Sequence, residues 1–137
     1  MGSSLIYHDR RDTMNNYDNL YCKIFIDTDK EKETVTDLIS TITSGKKEMF
    51  GISMESMDID VRRNEDFNET KRTEKQDGFL YSRFYIDVEP KSNIKQDAYI
   101  SNVATLLEKL WSMEFKAIAA CDFEEELPRK GGYNYGK

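Results

Sequence analysis

Gly78-Phe79-Leu80-Tyr81-Ser82-Arg83-Phe84-Tyr85-Ile86-Asp87-Val88-Glu89-Pro90 reads as the longest strand in the chain. Side chains on a strand alternate between the two faces of a sheet. One parity collects Leu80, Ser82, Phe84, Ile86 and Val88, which suits a core. The other collects Phe79, Tyr81, Arg83, Tyr85, Asp87 and Glu89, three aromatic rings among charges, which suits an open face. Pro90 closes the strand because proline has no amide hydrogen to give to a ladder.

Upstream, Leu20–Asp27 alternates in the same way. Leu20, Cys22, Ile24 and Ile26 share one face; Tyr21, Lys23, Phe25 and Asp27 share the other. Thr28-x-x-Glu31 matches a capping box, and Val35, Leu38, Ile39 and Ile42 follow at helical spacing up to Gly45. A helix over 29–43 is predicted. Lys46–Glu55 reads as a connection packed under the sheet edge, with room for a short strand. Ser56–Arg63 is a second strand, with Met57, Ile59 and Val61 inward and Asp58, Asp60 and Arg62 outward. The polar stretch Asn64–Asp77 predicts an exposed hairpin loop.

Downstream, Asn93–Met113 carries the stripe Ile100, Val103, Ala104, Leu107, Leu110 and Trp111 of a second helix, with Ser92 or Asn93 as N-cap. Phe115–Phe123 supplies a last strand whose small residues fit closely beneath a helix. The order β-α-β-β-α-β predicts an α+β, ferredoxin-like fold: a four-stranded antiparallel sheet with two helices on one face. Its first and third strands are central and paired, and both crossovers are right-handed. One domain over 20–128 follows, between a flexible N-terminal arm over 1–19 and a C-terminal tail over 129–137 that frays on the surface.

Composition narrows the function classes. A chain of 137 residues fits one domain with one core. Charged residues make up 34%, yet the apolar residues fall in periodic blocks, which excludes a disordered chain. A net charge of −6 disfavours nucleic acid and anionic membranes and favours a basic protein partner. No apolar run approaches the roughly 20 residues of a membrane helix, and the N-terminus lacks the apolar segment of a secretory signal. The expected location is cytoplasmic. Cys22 and Cys121 read as reduced, buried thiols, with a disulfide left open should their strands be neighbours. His8, the single histidine, makes no transition-metal site with them.

Asp58 with Asp60, and Asp122 with Glu124, Glu125 and Glu126, are the carboxylates that acid/base chemistry or a divalent cation would use. The plainer reading is a solvated charged surface. No Ser-His pair, phosphate loop or EF-hand spacing accompanies them, so no catalytic residue, metal or cofactor is expected. The outer face is open to three readings. It is covered by the chain's own ends or a second copy. Or it recognises a protein, with Tyr21, Phe25, Tyr81, Arg83 and Tyr85 as anchors and Asp58, Asp60 and Asp87 as selectors of a basic partner. Or it stacks RNA bases, a reading weakened by the acidity and by the lack of the RNA-recognition signature on this strand.

The stretches Ile59–Phe67, Asp77–Tyr81, Ile86–Pro90 and Ala119–Pro128 resemble small bacterial immunity proteins of polymorphic or contact-dependent toxin systems. The resemblance covers roughly Leu20–Pro128. It implies a cytosolic protein, not an enzyme, that binds one cognate toxin and blocks it. A basic nuclease toxin would fit the acidic balance. The resemblance carries over no binding residues, so the contact set rests on the outer-face argument. The alternative is a structural or regulatory homo-oligomer, in its simplest form a homodimer, that associates through the same face.

Overall fold

The computed structural model describes residues 16–49, 51–74 and 77–132. Most of the expected arm, including His8, and residues 133–137 of the expected tail lie outside the described residues. The elements are β1 (Cys22–Asp27), α1 (Lys32–Thr43), β2 (Lys46–Glu48), β3 (Gly51–Ser53), β4 (Met57–Arg63), β5 (Phe84–Pro90), α2 (Gln96–Ser112) and β6 (Lys116–Cys121). The strands form one sheet in the order β2-β3-β4-β5-β1-β6, with every neighbouring pair antiparallel.

The α+β class is present, but the sheet has six strands, which corrects the expected four-stranded sheet. The two additional strands come from the 46–53 connection. Ile52 pairs with Ile59 and is buried, so the inner apolar face continues one strand further. Gly51 permits the approach, because a Cβ there would overlap the Ile59 carbonyl oxygen.

Strand parity decides the core. Cys22, Ile24 and Ile26 of β1, Met57, Ile59 and Val61 of β4, and Phe84, Ile86 and Val88 of β5 are all buried in one cluster with both helices. α1 lies against β4 and the β2–β3 hairpin, and α2 against β6 and α1. Val35 and Ile39 are the buried residues of α1. In α2 the buried stripe is Tyr99, Ile100, Val103, Leu106, Leu107 and Leu110, turned slightly from the expected one, with Ala104 and Trp111 at its margin. The helix starts also differ. Thr28 accepts the Lys30 amide instead of capping, and Glu31 and Lys95 occupy the N-cap positions without side-chain caps. Ser44, not Gly45, takes the left-handed conformation that ends α1, at φ 58°.

The largest departure lies in the stretch first quoted. β5 begins at Phe84, and Gly78–Tyr81 forms a 3-10 turn. Leu80, expected inward, is 41% exposed. Asn64 supplies the cause. Its Nδ2 donates to the carbonyls of Leu80 (2.9 Å) and Ser82 (2.8 Å). Ser82 Oγ donates to the Phe79 carbonyl at 2.7 Å. These bonds satisfy the segment's polar groups outside any ladder. The loop expected over 64–77 is exposed along most of its described residues, as predicted, and these bonds fold it together with 78–83 into a cap. Arg72 fastens it to the end of β1 through Asp27 (3.3 Å) and Asp29 (2.6 Å).

The ends of the described chain pack as well. Tyr17 stacks edge-on against Phe123 and donates its hydroxyl to Glu126. Gly131 and Gly132 are buried against the outer edge of β6, so residues 129–132 dock instead of fraying. Gly132, at φ 109°, holds a backbone shape that a side chain would strain.

Tyr99 is fully buried, and its hydroxyl donates to the carbonyls of Leu20 (2.6 Å) and Val88 (3.1 Å). Burial pushes its pKa well above the usual phenol value. The same direction holds for the Cys22 thiol, through its hydrogen bond with Cys121 and its burial. For both groups the folded pKa exceeds the unfolded one. Their stability contribution is therefore complete below the unfolded pKa and is lost as pH rises above it. Urea unfolding should show a plateau below about pH 8.5 and a decline above pH 9–10, with a limiting slope of about 1.4 kcal/mol per pH unit for each group. A flat stability between pH 8 and 11, or tyrosinate absorbance from Tyr99 before unfolding, would contradict this burial.

Candidate partner-binding face

The face opposite the helices is built by register. Asp60, Asp87 and Lys23 lie side by side across β4, β5 and β1. Arg62, Tyr85, Phe25 and Ile118 form the next row, which continues onto β6. On the other side Asp58 pairs with Glu89. Two consecutive rows of the β4–β5 ladder thus set a carboxylate directly against a carboxylate. Like charges facing each other on a sheet destabilise it.

Cations relieve this only in part. Arg62 bridges Asp60 (2.8 Å) and Asp87 (2.9 Å), and both charges hold its guanidinium above its ordinary pKa. Lys91 lies 3.4 Å from Asp58 and also meets Ser53 Oγ. Beside these rows is a depression of about 510 Å³ lined by Glu48, Met49, Gly51, Ile52, Asp58, Ile59, Asp60, Arg62, Asp87 and Glu89. It holds five carboxylates against one guanidinium. Met49, at the hairpin turn, is 87% exposed on its rim.

The structure divides the eight expected contact residues. Asp58, Asp60 and Asp87 come together at the depression. Tyr21 stands beside them and donates its hydroxyl to Asp87; burial, then that bond, raise its pKa. Tyr85 is half-buried beneath Lys23, whose Nζ lies 4.1 Å from the ring centroid. Phe25 lies on the outer face but is only 5% exposed, because Phe79 (5.3 Å) and Tyr85 (6.2 Å) close over it. As an anchor it is corrected to a buried residue. Tyr81 belongs to the 3-10 turn, under Lys71, and does not continue the strand face as expected. Arg83 stacks on Phe67 (4.5 Å) and donates to the Thr28 carbonyl (3.2 Å), so it joins the cap to the sheet.

The aromatic half of the face is thus largely covered by the chain's own 64–83 cap, and the acidic half is open. Sequence reasoning placed Glu89 on the outer face but left it out of the contact set, and it passed over Glu48 altogether. Glu89 was reachable from the pairing of Asp58 with the end of β5. Glu48 was not, because its three-residue strand carries little periodicity and is placed by its pairing with β3, which in turn pairs with β4.

Among the described residues, no group of three or more His, Cys, Asp or Glu is placed to hold a metal ion. No helix among them is long and apolar enough to cross a membrane. Comparisons with protein-family models, with curated proteins and with solved structures find no match for this chain.

Proposed function

We propose that this chain is a non-enzymatic, cytoplasmic binding protein that neutralises a cognate bacterial toxin by protein–protein contact, and that the toxin docks a cationic surface on the acidic half of the outer sheet face. One observation carries the reading: the paired acidic rows Asp58–Glu89 and Asp60–Asp87 beside an open depression. Lysine or arginine side chains of a partner would complement these facing carboxylates. The partner class is then a basic toxin domain, with nucleic acid and membrane surfaces repelled. The strand subset β4-β5-β1-β6 with its two helices is, in this reading, a ferredoxin-like unit widened by the β2–β3 hairpin.

The same charge works against a homodimer through this face, since two copies would bring acidic rows together. Sizing chromatography at low salt should therefore give a monomer. The decisive experiment is co-expression with the toxin domain encoded beside this chain's own gene. Growth rescue together with co-purification of a 1:1 complex supports the proposal. Absence of both rescue and complex formation would overturn it.

A further inference from the structure

Cys22 and Cys121 face each other directly across β1 and β6. An antiparallel ladder offers two kinds of facing pair, and the kind without mutual hydrogen bonds brings the Cα atoms to about 4.5 Å. Three contacts identify the kind. The Cys121 amide donates to Glu124 Oε2 (3.0 Å). The Ala117 carbonyl accepts Trp111 Nε1 (2.9 Å). The Ala119 carbonyl meets Gly131, where a Cβ would stand 2.8 Å away. All three groups share one parity of the edge strand and point away from β1. Cys22–Cys121 is therefore a close, non-hydrogen-bonded pair, within the Cα range of about 4.4–6.8 Å that a disulfide spans.

We propose that Cys22 and Cys121 form a cross-strand disulfide when the chain meets a disulfide oxidant, clamping the edge strand β6 to β1. Both thiols are free in this structure, Cys22 fully buried and Cys121 half-buried. The reaction starts at Cys121, the less buried of the two residues. It gives its proton to solvent and attacks one sulfur of a small disulfide such as oxidised glutathione. That S–S bond breaks, and one glutathione leaves as a thiol. Cys22 then attacks Cys121 Sγ, gives up its proton and expels the second glutathione. Two cysteine sulfurs are oxidised, and one glutathione disulfide is reduced to two thiols. The bond closes a loop of about 100 residues, the regime in which cross-linking restricts the unfolded chain most.

The test uses the full reduced chain incubated with oxidised glutathione near pH 8. The expected product is about 2 Da lighter than the reduced chain, the mass of two hydrogen atoms lost as two protons and two electrons. A single peptide pair should join Cys22 to Cys121. The thermal midpoint should rise on the order of 10 °C, and dithiothreitol should reverse all three changes. Cys121→Ser, or Cys121→Ala where serine is poorly tolerated, should abolish the mass loss and the thermal shift. A stable glutathione adduct on Cys121 with Cys22 still reduced would overturn the proposal, as would a disulfide that joins two chains.

Discussion

Asp58→Lys/Asp60→Lys is expected to lower affinity for the toxin domain by on the order of 100-fold or more and to abolish protection in the rescue assay. The two side chains occupy consecutive outward positions of β4, opposite Glu89 and Asp87. Reversing both converts the floor of the depression from acidic to mixed charge and meets a cationic partner with repulsion. The effect on folding is small. Each substitution replaces a carboxylate–carboxylate pair by an opposite-charge pair, while Arg62 gives up one of its two partners and Lys91 loses Asp58, so the thermal midpoint should change little. Binding and stability thus move apart, which separates a contact role from a structural one. Glu108→Lys, an exposed reversal on α2, makes one such charge reversal, half the change of the double variant, away from this face and should leave binding intact. Full protection by the double variant would remove the acidic face from the interface. A loss of binding that follows a drop in thermal midpoint would reassign the rows to folding.

What was legible in the sequence was what period alone can encode. Met57, Ile59, Val61, Phe84, Ile86 and Val88 alternate, and each lies on the core side of its strand. The Val35–Ile39 and Ile100–Leu110 spacings place both helices within a few residues of their ends. The β2–β3 hairpin was not legible, because three-residue strands carry almost no periodicity. Its existence depends on Ile52 finding Ile59 and on a glycine that admits the approach, facts of tertiary pairing. The outer face failed at one point for a related reason. Alternation continues through 79–83 in the sequence, yet polar groups from a residue some sixteen positions away capture those carbonyls. Parity therefore predicted an aromatic docking stripe, and hydrogen bonding turned its upper part into a cover over Phe25.

Asn64→Ala should be the most damaging single change in that cover, lowering stability by about 3 kcal/mol and the thermal midpoint by on the order of 10 °C. Asn64 is 8% exposed and uses both ends of its amide. Nδ2 donates to two carbonyls, and Oδ1 accepts the Asp66 amide at 3.1 Å. Alanine leaves the buried Ser82 carbonyl and the partly buried Leu80 carbonyl unpaired, and an orphaned buried group costs about 1–3 kcal/mol. The 3-10 turn loses its anchor, so Phe79 should lift from Phe25, and the amides of residues 79–82 should exchange faster with solvent. Asn64→Asp isolates the cause. It keeps the acceptor for Asp66 and the side-chain size, but it turns a carboxylate oxygen toward two carbonyls. It should be at least as destabilising as alanine at pH 7 and should recover partly as acid protonates the carboxylate and restores one donor. Near-wild-type stability of Asn64→Asp would mean that the two carbonyls do not depend on this side chain, and the account of why β5 begins at Phe84 would fail with it.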